Sequence, residues 1–101
     1  MIKHLENEEL FDEEISKGTV LVDFYADWCG PCRMLGTVLE EVAKELVDIT
    51  ILKVNVDQMK NIGGRFSIRS IPTVVLFKDG KQVATNIGFL PRPALMSFIK
   101  Q

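Results

Sequence analysis

Apolar residues recur along this chain at two spacings, and the points where one spacing gives way to the other mark out its elements. Asn7 precedes Glu8 and Glu9, and Leu10, Phe11 and Ile15 then fall at helical intervals, which predicts a short helix over residues 8–17 ended by Gly18. Residues 19–26 are β-branched, aromatic and apolar on both parities except at Asp23, as in a strand covered on both faces. Such a strand is expected to be central. Met34, Leu35, Val38, Leu39, Val42, Ala43 and Leu46 make one stripe, with Arg33, Glu40, Glu41, Lys44 and Glu45 opposite, so residues 31–47 read as an amphipathic helix. Residues 49–56 form a second buried-type strand, completing a right-handed parallel βαβ unit.

Asp57 is then expected to cap a weaker helix over residues 59–66, in which Gly63 and Gly64 each cost roughly 1 kcal/mol of helix propensity. This element should be the loosest. Pro72 opens a third strand over residues 73–78, Asp79-Gly80 signals a hairpin, and residues 82–88 make the fourth strand. Pro91 and Pro93 introduce a last short helix through Lys100. The expected architecture is α/β, a mixed β-sheet core flanked by helices on both faces, in one domain covering residues 1–101.

Composition narrows the partners. With 47% apolar residues, 26% charged residues and a formal net charge of -2, the chain has the make-up of an ordinary globular protein. Lys and Arg are scattered and form no basic stripe, which argues against nucleic acid. No apolar run is long enough to span a membrane, and Met1-Ile2-Lys3-His4-Leu5-Glu6 turns acidic without a stretch of secretory-signal length. A cytoplasmic address is expected. There a disulfide is more often transient and catalytic than structural.

The chemistry concentrates in Trp28-Cys29-Gly30-Pro31-Cys32, which holds both cysteines of the chain, three positions apart between a strand and a helix. That junction puts Cys29 at an exposed helix N-terminus and Cys32 inside the first turn, so free backbone N–H groups and the helix dipole favour a thiolate on Cys29. Pro31 suits the first turn, and Gly30 leaves room for a partner backbone. A structural zinc site would need four ligands, and only His4 could join the two thiols. No metal is expected. A purely structural disulfide over so short a loop would constrain the unfolded chain little. Asp23, six residues before Cys29, is the one ionisable group in the first buried strand. Read from the residues alone, it is either a buried carboxylate with a raised pKa, fit to move a proton near neutrality, or an acid on an exposed strand face.

Along nearly its whole length the chain resembles the thioredoxin family. The matching stretches are Val20-Leu21-Val22-Asp23-Phe24, Trp28-Cys29-Gly30-Pro31-Cys32, Lys53-Val54-Asn55-Val56-Asp57, Ile71-Pro72-Thr73, Lys78-Asp79-Gly80 and Gly88. The resemblance implies the thioredoxin fold and protein-disulfide reduction through a redox-active Cys29-Cys32 disulfide, with no bound cofactor. It further implies client proteins bearing disulfides and a separate reductase that brings NADPH and FAD; a monomer is expected. Asp23 would be the proton relay for Cys32, with Lys53 approaching it. From sequence alone Lys53 is equally a solvated strand-end charge. Pro72, trans on general grounds, is implied to be cis and to face the cysteines. The backbone beside it would pair with an extended client segment, with Trp28, Gly30, Pro31, Ile71, Thr73 and Gly88 around the docking site. Phe89 reads equally as rim or as core.

Three departures from the commonest family pattern bear on partner choice and redox potential. Tyr25 stands where a second Trp is frequent, and its phenol is expected to add a hydrogen bond near the site. Gly36-Thr37 replaces Ala-Pro, with Gly36 expected to supply the bend credited to the proline. Ser70 replaces a Gly. Two other readings stay open on sequence alone: a thiol oxidase or isomerase on the same fold, and a binding module whose thiols are incidental.

Overall fold

A strand that is apolar on both parities must be covered on both faces, and β2 (Thr19–Tyr25) is. The computed structural model, which describes residues 1–101, sets it in the middle of a five-stranded sheet. The other strands are β1 (Ile2–His4), β3 (Thr50–Asn55), β4 (Thr73–Lys78) and β5 (Lys81–Ile87), and the sheet order is β1-β3-β2-β4-β5. β1, β3 and β2 run parallel, while β4 is antiparallel to both β2 and β5. The helices are α1 (Phe11–Glu14), α2 (Gly30–Glu45), α3 (Lys60–Arg65) and α4 (Arg92–Ile99).

Alternation along β2 divides the core in two. Val20, Val22 and Phe24 face Phe11, Ile15 and Ile62 on the side of α1 and α3. Leu21 faces Leu35, Leu39 and Leu95 on the side of α2 and α4. Phe66 ties the first cluster together, with ring centroids 5.4 Å from Phe11, 5.7 Å from Phe24 and 5.8 Å from Phe77.

The expected elements form, with three corrections. β1 was not anticipated, because three residues carry no readable alternation; it is held by pairing to β3 and by the terminal ammonium donating to Ile49 O at 3.0 Å. The first helix is shorter than expected, a 3-10 turn over Glu8–Leu10 leading into the four residues of α1, and it ends before Ile15 so that Gly18 can donate its N–H to Asp79 Oδ1 at 2.8 Å. The hairpin turn itself is as read, with Asp79 at φ 50° and Gly80 at φ 84°, the left-handed pair that matches strand twist.

The third correction concerns α3, which Asp57 does not cap. Its N-cap is Met59, with no side-chain cap bond, and Glu8 reaches across so that Oε2 accepts the Ile62 N–H at 3.0 Å. A cap from 54 residues away leaves no local signature in the sequence. Glu8→Ala should therefore lower stability by about 1 kcal/mol and speed hydrogen exchange at the Ile62 amide. Unchanged exchange there would show that α3 does not depend on this carboxylate.

Candidate active site

β2 ends at Tyr25, and the chain turns through residues 26–28 before α2 begins. Cys29 is the N-cap of α2, extended at φ -90° and ψ 112°, and its Sγ accepts the Cys32 N–H at 3.2 Å. Pro31 occupies the first turn, where its missing N–H costs nothing. Cys29 and Cys32 are joined as a disulfide with Cα atoms 5.2 Å apart.

The expected exposure of Cys29 does not hold: Cys29 is 5% and Cys32 3% accessible, with Ala26, Tyr25, Val56 and Ile71 packed on the pair. The two sulfurs therefore differ less in access than in polar surroundings. Cys29 has the Cys32 N–H and stands at the positive end of a 16-residue helix, both of which stabilise a thiolate once the bond is reduced.

Facing the pair is the segment that precedes β4. The Ile71–Pro72 peptide is cis, and the Ile71 carbonyl oxygen lies 3.8 Å from Cys29 Sγ. Pro72 O accepts the Gly88 N–H at 2.8 Å, tying the end of β5 to this segment, with Gly88 at φ 101°. Thr73 is buried within the sheet between Phe24 and Ile87, its hydroxyl donating to Ser70 O at 2.6 Å. Ile71, by contrast, has no backbone hydrogen bond on either its N–H or its C=O. A strand-like donor and acceptor thus stand free beside the disulfide, in the form that β-strand addition uses. Trp28 is 70% exposed, Gly30 and Pro31 border open space, and Phe89 belongs to neither core cluster.

Asp23 is fully buried on the face of β2 that α2 covers, and its Oδ2 lies 3.6 Å from Lys53 Nζ. That distance suits charge attraction and is too long for a hydrogen bond, so neither carboxylate oxygen has a donor from the protein. Burial is the dominant effect and raises the Asp23 pKa to about 6, with the Lys53 charge pulling the other way. Lys53 is therefore an internal partner of Asp23 rather than a solvated strand-end charge. Its Nζ is also 3.5 Å from where a Cβ on Gly36 would sit. Gly36 is one turn beyond Cys32 on the same helix face, so Asp23 lies beneath the opening turns of α2.

Gly36 does not break α2, which runs unbroken from Gly30 to Glu45; Thr37 Oγ1 donates to Arg33 O at 3.4 Å, a bond from a helical hydroxyl to the preceding turn. The Tyr25 ring lies under the Lys53 ammonium, 4.7 Å from centroid to Nζ, and burial with the nearby Asp27 charge raises the phenol pKa. Asp57 has a different task from the expected helix cap, and Asn55 has one that was not expected from the sequence. Asp57 Oδ2 accepts the Trp28 indole N–H at 2.9 Å, while Asn55 Oδ1 accepts the Asp57 N–H at 2.9 Å and the Gln58 N–H at 3.3 Å. The available signal was the polar Asn-Val-Asp stretch at the end of a buried strand.

Comparison with known proteins agrees with this geometry. The Thioredoxin family model matches residues 1–101. The thioredoxin of Mycoplasmoides gallisepticum is 47% identical over 100 residues, covering 98% of this chain and 100% of its own. That of Bacillus subtilis is 42% identical over 95 residues, covering 93% and 91%. A solved mutant thioredoxin from Halobacterium salinarum superposes with a TM-score of 0.88 at 37% identity, over 98% of this chain and 88% of its own. With a disulfide across Cys-Gly-Pro-Cys at the head of α2, on this sheet and with these relatives, the chain belongs to the thioredoxin family of thiol-disulfide oxidoreductases.

Proposed function

We propose that Cys29 and Cys32 perform successive and different steps in reducing protein disulfides, and that residues 1–101 carry the whole reaction as one domain. The observation that carries this reading is the Cys29 sulfur at the N-cap of α2, accepting the Cys32 N–H. The Cys29 thiolate attacks one sulfur of a client disulfide; the client's other sulfur leaves as a thiolate and takes up a proton. Cys32 then loses its proton to Asp23 and attacks Cys29 Sγ. The second client sulfur leaves, and the Cys29–Cys32 disulfide retains the oxidation the client has lost.

Asp23 is proposed as the base in the second step because its pKa of about 6 leaves it largely ionised at pH 7 and able to accept a proton. Ile71 offers its free N–H and C=O to an extended client segment, supported by Pro72, Thr73 and Gly88, while Trp28, Gly30, Pro31 and Phe89 form the rim. The disulfide needs no bound cofactor. Electrons return through a partner reductase carrying FAD and drawing on NADPH. We place the protein in the cytoplasm as a monomer; no helix is long and apolar enough to cross a membrane.

With NADPH and a thioredoxin reductase supplied, the protein should oxidise NADPH in proportion to added insulin disulfide, and the Cys29→Ser, Cys32→Ser double variant should not. Equal rates from the two proteins would overturn the assignment.

A further inference from the structure

The Lys53 ammonium is the only charge of opposite sign near the buried Asp23 carboxyl. Lys53 stands directly across from Asp23 in the β2–β3 pairing, and Tyr25 is two residues along, on the same face. The Lys53 side chain is 18% exposed. It is a flexible four-carbon stem, so its ammonium can turn toward water unless something favours the inward position. Two features define that position. The Tyr25 ring presents its face to Nζ at 4.7 Å, and Nζ lies against Gly36, 3.5 Å from where a Cβ would sit, a van der Waals distance that leaves room for a Cβ and not for a longer side chain.

We infer that Tyr25 is a positioning residue, whose ring face, opposite the wall formed at Gly36, keeps the Lys53 ammonium beside Asp23. The part played by Tyr25 belongs to the π face of the ring, whose negative quadrupole attracts a cation, and not to the phenol. Other titratable or charged groups around the pair are few. α2 contributes the Cys32 thiol, the turn after β2 contributes Asp27, and β1 places His4 beside Lys53. β4 sets Val74 opposite Asp23 and brings no charge.

This inference rests on the proposed role of Asp23 only where rates are concerned, so the test reads ionisation and rate separately. The Asp23 carboxyl would be titrated by carbon NMR in the reduced protein, and the release of client thiol from a preformed mixed disulfide timed at pH 6, near the Asp23 midpoint. Tyr25→Leu is expected to raise the Asp23 midpoint by about half a pH unit, the roughly threefold change in ionisation constant that a partly desolvated cation–π contact corresponds to, and so to slow release about twofold at pH 6. Tyr25→Phe, which keeps the ring face, is expected to restore both. Gly36→Leu, acting from the opposite wall, is expected to shift the midpoint the same way and serves should Tyr25→Leu not fold. In a Lys53→Met background Tyr25→Leu should have no further effect on the midpoint.

An unchanged midpoint in Tyr25→Leu and Gly36→Leu would overturn the inference. So would a Tyr25→Leu shift of equal size with and without Lys53, because the ring would then act by shielding Asp23 directly. A midpoint that moves while release keeps its rate would uphold the positioning role and remove Asp23 from the second step.

Discussion

Cys32→Ser should stop the reaction at the mixed disulfide, with turnover falling about a thousandfold or more while Cys29 remains joined to client sulfur. The first step needs only the Cys29 thiolate, and that sulfur keeps its place at the N-cap of α2 in the variant. The second step is intramolecular, between residues whose Cα atoms are 5.2 Å apart. Well-oriented groups of this kind reach effective concentrations of about 10⁵ M or more, far above any thiol in solution, so an external thiol replaces Cys32 poorly. Non-reducing gels of the variant mixed with disulfide-bearing proteins should show adducts that reductant removes, and Cys29→Ser should show none. A Cys32→Ser protein that turns over normally without adducts would exclude the two-step mechanism.

Asp23→Asn should change how stability depends on pH by about 3 kcal/mol. The carboxyl titrates at about 6 in the folded chain and near 3.8 in the unfolded one. Between these values the folded state holds a proton that the unfolded state has released, so rising pH favours unfolding. The folded protein is thus penalised progressively from about pH 4 to about pH 6 and by a constant amount above that. Roughly 2.2 pH units at 1.36 kcal/mol each give the 3 kcal/mol. Wild-type and variant urea midpoints should diverge across this window in the variant's favour and run parallel above pH 7. On the same reading, the variant loses the rate inflection near pH 6 and resolves mixed disulfides about tenfold more slowly at pH 7. Parallel stability curves from pH 4 to pH 8 would mean that Asp23 titrates normally.

The sequence disclosed those features that depend on neighbours in the chain. The both-parity apolar run of β2, the stripe of α2, the Asp79-Gly80 turn and the strand-to-helix setting of Cys29 and Cys32 are all local patterns, and all appear in the fold. What stayed hidden depends on residues far apart. Glu8 caps α3, Asp57 binds the Trp28 indole, and Lys53 sits between the Tyr25 ring and Gly36; each requires two or three segments to be brought together first. β1 was too short for any period to be read, and the burial of Cys29 draws on Val56 and on Ile71, the latter more than forty residues away. The relay role expected of Asp23 and the cis bond expected at Pro72 came from resemblance: the apolar run of β2 on both parities points to burial of Asp23 but not to which thiol it serves, and a proline before a strand does not reveal its isomer.

The hydrogen bond from the Trp28 indole to Asp57 has an optical consequence. Trp28 is the only tryptophan in the chain and sits immediately before Cys29. All indole fluorescence therefore originates at the edge of the reactive pair, from a ring 70% exposed to solvent and held on one side by a carboxylate. Any event that rearranges this corner, whether opening of the disulfide or arrival of a client, acts on the sole emitter. The wild-type protein thus carries its own spectroscopic label at the place where the chemistry occurs.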